Sequence, residues 1–298
     1  MPGLKEVRIR IASVKSTQQI TNAMKMVAAS KLRKAQSGIL KLRPYAAKLR
    51  EILDNLSGSI EDSGENAYTR EREPVKILLV VIASNRGLCG AFNSNIIKAA
   101  LQLMNTTYEN SFRNGNGSLL VIGRKASDFF RKRGYRIEEI RDDLLDGIAF
   151  DKVSPVAEKL MKAFTEKQFD RIQIIYNQFK NAAVQNLVTE QFLPIITQKP
   201  AGSKSTGATA VQADYIFEPD KETILKALIP KTLRIQLYKA VLDSFASEQG
   251  ARMTAMQNAT ENANELLKDL RISYNKARQN AITKELLEIV AGAEALKG

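Results

Sequence analysis

The stretch Ser84-Asn85-Arg86-Gly87-Leu88-Cys89-Gly90 comes nearest to residues that could do chemistry. It follows an apolar run and precedes a helical pattern, the position at which open α/β sheets bind ligands. Its glycines, however, follow the spacing of neither the dinucleotide fingerprint nor the phosphate loop. The residues favour a tight strand-to-helix turn in which small side chains permit close packing. The chain has no histidine and a single cysteine. That excludes a Ser-His-Asp or Cys-His pair, an imidazole metal site, a disulfide within the chain and a CxxC redox pair. It also fits a reducing compartment. With no base in view, Cys89 reads as a small buried residue and not as a nucleophile. Asp142, Asp143 and Asp146 are grouped acids without the EF-hand spacing, and they suit a turn or a helix start. Residues 199–205 evoke a phosphate loop only superficially, because no strand enters them with the right glycine spacing. Neither a catalytic constellation nor a cofactor or metal motif emerges.

Charge supplies a second kind of chemistry. The 298 residues carry 45 Lys and Arg against 32 Asp and Glu, a net charge of +13. Residues 1–50 hold 12 basic side chains and one acid, Glu6, so 12 − 1 = +11 of the excess lies there, while residues 51–219 balance. Such a segment suits an acidic partner: nucleic acid, anionic lipid or an acidic protein loop. No aromatic residue interleaves the basic ones before Tyr45 and no DNA-binding module is visible, which argues against nucleic acid. An enzyme with helical arms is the other alternative, and the absent glycine fingerprint and acid–base set argue against it.

These residues sit on elements that hydrophobic periodicity outlines. Residues 4–57 read as helix. Leu4, Val7, Ile11 and Val14 step by three and four; the register is expected to shift through Ile20, Met24 and Val27. It then holds through Ala28, Leu32, Ala35, Ile39, Leu42, Ala46, Leu49, Leu53 and Leu56, a coiled-coil seam of about four heptads. Pro44 is expected to bend the helix without ending it. Residues 58–74 read as a linker. Strand and helix patterns then alternate: strand at 75–82, helix at 95–108, strand at 118–123, helix at 124–133, an edge strand at 135–140, helix at 155–167 and strand at 171–176. Residues 178–196 suit either a hairpin or a further strand. An α/β domain over 75–198 with a mostly parallel sheet follows. Residues 199–213 are small, polar and turn-rich, as in a flexible loop.

Residues 214–298 return to helix, with a second seam through Met256, Ala259, Ala263, Leu266, Leu270, Ser273 and Ala277, resuming at Ile282, Leu286, Ile289, Ala293 and Leu296. Each seam needs a partner, and the simplest partner is the other, antiparallel. The expected fold class is therefore α/β plus a long α-helical antiparallel coiled coil. Its N- and C-terminal helices form a shaft with a Rossmann-like α/β domain at the base. Met24, Met26, Met253 and Met256 suit core packing, or a contact surface that tolerates changing neighbours. The longest apolar run, residues 77–83, is far short of the roughly 18–20 residues of a membrane span, and the basic N-terminus lacks the apolar core of a secretory signal.

Four segments carry a family resemblance. The run Ile11-Ala12-Ser13-Val14-Lys15-Ser16-Thr17-Gln18-Gln19-Ile20-Thr21-Asn22-Ala23-Met24-Lys25-Met26-Val27-Ala28-Ala29-Ser30, within residues 4–35, resembles the N-terminal helix of the gamma subunit of F-type ATP synthase. The 84–93 turn is similar to that family's Ser-Asp-Arg-Gly-Leu-Cys-Gly segment, with Asn85 in place of Asp. Residues 247–260 and 274–293 also resemble it, and residues 282–295 fit the family signature [IV]-T-x-E-x2-[DE]-x3-G-A-x-[SAKR]. The weaker parts are 58–73, 105–117 and 199–213.

The resemblance implies the central rotor of a bacterial, proton-translocating complex. Its partners would be the alpha, beta and epsilon subunits and the membrane ring of c subunits. Catalysis would belong to beta, and this chain would bind no cofactor. It further implies that Arg278, Gln279, Thr283 and Glu285 hydrogen-bond beta loops, and that Met24 and Lys25 face acidic beta loops. Residues 214–220, with Tyr215 and Glu218, would form a foot near the c ring. Membrane association at the cytoplasmic face of the inner membrane would run only through partners. No cysteine pair is present for the thiol switch of chloroplast relatives, and a chain opening directly on the family motif is expected to lack a transit peptide.

Overall fold

The computed structural model describes residues 4–58, 67–195 and 221–295. The chain divides into two compact units, one of Lys31–Ala251 and one of Met1–Ser30 with Arg252–Gly298. Both divisions fall inside helices.

The Lys31–Ala251 unit is built on a five-stranded sheet. Its strands are β1 (Ile77–Ile82), β2 (Gly117–Ile122), β3 (Ile137–Ile140), β4 (Arg171–Phe179) and β5 (Gln185–Leu193), in the order β3-β2-β1-β4-β5. The first four are parallel and β5 is antiparallel to β4. The 178–196 stretch is thus the second arm of a hairpin. The strand expected at an edge, β3, is at an edge. β1 lies in the middle and is buried along its whole length, which is why its sequence is an unbroken apolar run.

Alternate residues of β1 serve two cores. Ile77, Leu79 and Val81 pack with Phe92, Ile96 and Ala100 of helix α2 (Phe92–Asn105) and with Phe130 of α4 (Arg124–Lys132). The short α3 (Glu109–Arg113) lies between these helices in sequence. Leu78, Val80 and Ile82 pack on the opposite face with Val156, Leu160 and Phe164 of α5 (Phe150–Thr165). Two further helices complete that layer: Leu53 of α1 (Leu4–Gly58) and Leu225, Leu233 and Leu237 of α6 (Lys221–Ala295). The second layer of the sandwich is therefore made partly from the two long helices. α5 begins a turn before the expected start at Pro155, because Ala149 accepts the first helical bond from Lys152. α1 runs on through Pro44 and α6 through Pro230.

The other unit contains the first 27 described residues of α1 and the stretch of α6 from Arg252 onward. Val7, Thr21 and Ala28 are buried on α1, and Met256, Thr260, Ala263, Leu267 and Leu270 on α6. Three side-chain bonds set the pairing: Lys25 Nζ donates to Gln257 Oε1 at 2.8 Å, the Thr21 and Thr260 hydroxyls lie 2.8 Å apart, and Gln18 Nε2 donates to Asn264 Oδ1 at 3.1 Å. Numbers rise on one helix as they fall on the other, so the pairing is antiparallel.

Candidate functional site

The first candidate is the turn after β1. Leu88 and Gly90 adopt left-handed backbone, φ 64° and 58°, which reverses the chain into α2 within a few residues. Asn93 Oδ1 accepts from the Ser84 backbone N–H at 3.0 Å and Asn93 Nδ2 donates to Cys89 Sγ at 3.2 Å. Asn85 Nδ2 donates to the Asp142 carbonyl at 2.9 Å, and its Oδ1 accepts from the Arg124 N–H at 3.1 Å. The polar side chains of the turn thus brace its own backbone and the start of α4. Cys89 is buried. Asp142 and Asp143 open a 3-10 turn (Asp142–Leu145). There the Arg141 guanidinium donates to Asp143 through Nε and Nη2, both at 2.9 Å, and holds that carboxyl below its usual pKa.

The crevice beside this turn is occupied by the chain itself. β1 and β4 are paired as far as Val81–Ile175. Past that pair Ser244 and Ser247 of α6 take the carbonyls of Ile82 and Asn177 at 3.3 and 2.9 Å. In an open α/β sheet a ligand would enter where neighbouring strands diverge in this way; here a helix enters instead. Nearby, the Tyr176 hydroxyl donates to Glu190 at 2.7 Å, and Lys239 Nζ lies 3.6 Å from the same carboxylate. Burial raises the Tyr176 pKa, helped by Glu190, so the phenol stays a donor.

The second candidate is the two-helix unit. Gln18, Thr21 and Lys25 occupy the α1 seam in step with Val14 before them and Ala28 after. The expected register shift through Ile20, Met24 and Val27 therefore does not occur. Ile20 and Val27 are exposed and Met24 is half-buried. The seam continues in one register through a polar layer, which a search for apolar periodicity passes over. On α6 the seam runs through Leu267 and Tyr274, not Leu266 and Ser273: Leu266 is 40 % exposed and Leu267 8 %.

By the same pairing the start of α1 at Leu4 falls opposite Ala277–Arg278. Beyond that point Ile282, Leu286, Ile289 and Val290 are exposed, Ile289 to 67 %. The seam expected to resume there has no partner helix among the described residues. Of the residues assigned by resemblance, Lys25 is half-buried on Gln257. Arg278, Gln279, Thr283 and Glu285 are exposed on α6, with the Thr283 hydroxyl donating to the Gln279 carbonyl at 2.9 Å. Tyr215 and Glu218 lie outside the described residues, as do the 199–213 loop and residues 59–66 of the 58–74 linker.

The family model described as ATP synthase matches residues 3–296. The ATP synthase gamma chain of Cytophaga hutchinsonii is 52% identical over 296 residues, 99% of each chain. That of Flavobacterium johnsoniae is 52% identical over 298 residues, 100% of each. The chain belongs to the ATP synthase gamma chain family. The gamma chain of Chlorobaculum tepidum, at 46% identity over 297 residues, also covers both chains fully. Among solved structures, a chain of the central stalk and c ring of Tetrahymena thermophila mitochondrial ATP synthase aligns with TM-score 0.58 and 25% identity, over 80% of this chain and 99% of that one. A chain of Euglena gracilis mitochondrial ATP synthase shares the fold with TM-score 0.67 over 98% of this chain and 94% of that one, at 23% identity. Gamma chain membership makes this chain the central-stalk subunit of F-type ATP synthase, its rotor shaft, and not the catalytic subunit. Its partners are other subunits of that complex. It is a peripheral subunit, and among the described residues no helix is long and apolar enough to cross a membrane.

Proposed function

We propose that the chain turns inside a ring of alternating alpha and beta subunits. It passes torque between a membrane c ring, joined by the epsilon subunit, and the catalytic sites on beta. One direction of rotation serves ATP synthesis and the other hydrolysis. Contacts with beta are assigned to Met24 and Lys25 on α1 and to Arg278, Gln279, Thr283 and Glu285 on α6; Tyr215 and Glu218 are assigned to the foot beside the c ring. The chain binds no cofactor and no nucleic acid. It reaches the cytoplasmic face of the bacterial inner membrane through its partners.

The observation that carries this proposal is the end of α6. A helix without a partner is marginal in water, since most helical stability in proteins comes from packing. A continuous exposed apolar surface marks a contact site. Ile282, Leu286, Ile289 and Val290 form such a surface where α1 no longer covers α6, and a protein sleeve around that end would bury it. Turning inside the sleeve then does work only if the states of the ring bind the shaft unequally, because equal affinity shifts no population.

The test is purification of the native complex through a tag on this chain, followed by observation of a bead attached to it while the ring is held on a surface. The expected result is several large nucleotide-binding subunits per copy and rotation driven by ATP. A chain that stays still in a complex turning over ATP would overturn the proposal.

A further inference from the structure

Beyond the Val81–Ile175 pair, β1 and β4 part. β1 ends at Ile82, while β4 runs on to Phe179 in partnership with β5. Diverging strands leave buried carbonyls that need donors. Ser244 Oγ donates to the Ile82 carbonyl and Ser247 Oγ to that of Asn177; both serines are fully buried. Arg43 of α1 donates from Nη2 to the Phe179 carbonyl at 2.8 Å, and the same nitrogen lies 3.4 Å from Asp243 Oδ1. One guanidinium therefore ties α1, α6 and the end of β4 together. At Gly250 a Cβ would stand 3.2 Å from the Ala182 carbonyl oxygen, so the missing side chain lets α6 lie close to the β4–β5 turn.

Between residues 241 and 250 α6 is buried on nearly every face, all but Phe245 being buried, so non-directional apolar burial there does little to stop it turning about its own axis. The buried apolar residues of α6 beside the serines are Ala240, Val241, Leu242 and Ala246, of which only Leu242 is large. Hydrogen bonds are directional. Ser244 and Ser247, three apart, share one helix face. Turning α6 by one residue, about 100°, would carry both hydroxyls off their carbonyls and leave buried polar groups unpaired.

Resting on the rotor function proposed above, we propose that this polar joint is where torque passes between the sheet and the long helices. Ser244 and Ser247 are positioning residues for coupling, and Arg43 clamps α1 to the same point. Hydrolysis by the detached complex loads the joint only with viscous drag. Synthesis against a phosphorylation potential loads it with the full torque.

The experiment places Ser244→Ala/Ser247→Ala, each single variant and Ser247→Thr in the complete complex. It compares gradient-driven ATP synthesis in vesicles with unloaded hydrolysis by the same preparation. The double variant should lose on the order of tenfold in the ratio of synthesis to hydrolysis, the scale of one to two buried hydrogen bonds, with hydrolysis itself unchanged. Ser247→Thr, which keeps the hydroxyl, should restore the ratio relative to Ser247→Ala. Proportional loss of both activities would make the serines merely structural, and an unchanged ratio would remove them from the torque path; either overturns the proposal. If the double variant fails to assemble, the single variants decide by the same ratio. A wild-type chain that supports neither activity would instead overturn the rotor function, so the two failures are distinguishable.

Discussion

Asp243 has a fully buried side chain, and its Oδ2 has no hydrogen-bond partner among the described residues. Burial pushes its pKa above the ordinary carboxylate value, against the opposing pull of Arg43 and Lys239. A carboxyl whose folded pKa lies above its unfolded one contributes stability while it is protonated, and loses that contribution as pH rises through the folded value. The wild type should therefore lose stability relative to Asp243→Asn as pH rises from acidic toward neutral. Thermal unfolding of both chains across that range measures it, and parallel curves would refute it. The adjacent leucines of α6 give a second residue-scale test. Leu267→Asp buries an unpaired charge and should cost about 3 kcal/mol. Leu266→Asp, on the exposed neighbour, should cost less than about 1 kcal/mol. Equal losses in chemical denaturation would mean that the seam does not pass through Leu267.

At the scale of elements, the polar layer in the seam has a defined energetic signature. Thr21 and Thr260 meet across the helices; each hydroxyl carries one proton, so one of them donates across to the other, while the acceptor donates to its own helix, Thr21 to the Gln18 carbonyl or Thr260 to that of Met256. Removing one hydroxyl leaves the other facing a methyl group. Replacing both with valine restores an apolar layer of the same shape. Thr21→Val and Thr260→Val should each cost about 1 kcal/mol, and the double variant clearly less than their sum. Strict additivity in the mutant cycle would show that the hydroxyls do not interact. The layer also accounts for the pairing register: a slip of either helix would break the three bonds of Lys25, Thr21 and Gln18 together. Such pinning by a few polar seam residues is a known use of buried polarity in coiled coils.

At the scale of the whole molecule, charge and exposed apolar surface fall in the same terminal segments. Lys5, Arg8, Arg10 and Lys15 are exposed on α1, and Ile282 through Val290 are exposed on α6. The Lys31–Ala251 unit closes its own two cores. Hydrogen exchange should therefore slow on assembly with alpha and beta subunits mainly in residues 4–30 and 278–295, and change little in the sheet. Protection owed to the basic segment should weaken with salt, since the Debye length falls from about 10 Å at 0.1 M to about 3 Å at 1 M. Protection around Arg278 to Glu285, held by short-range contact, should persist. Assembly-dependent protection confined to 77–193 would contradict both the assigned contacts and the orientation they require.

Strand and helix types were legible in the sequence because burial imposes a period. β1 reads as a strand from its apolar run, and α1 from residue 28 onward reads as a seam from its three-four steps. The 84–93 turn was legible as a turn from Gly87 and Gly90, and Gly90 suits its left-handed backbone, whereas the left-handed Leu88 gave no such sign. Three things depended on the fold. The seam between Val14 and Ala28 is carried by Gln18, Thr21 and Lys25, which count as outward residues until Gln257, Thr260 and Asn264 of α6 supply their bonds. The choice of Leu267 over Leu266 was a tie in periodicity that only the facing helix breaks. Ser244 and Ser247 gave a faint signal, small polar residues among Ala240, Val241, Leu242 and Ala246 of α6. Their acceptors are strand carbonyls far away in the chain, and those carbonyls are free only because β1 and β4 diverge. Local sequence records which face of an element is buried. Which polar groups are satisfied across elements is decided when the elements meet.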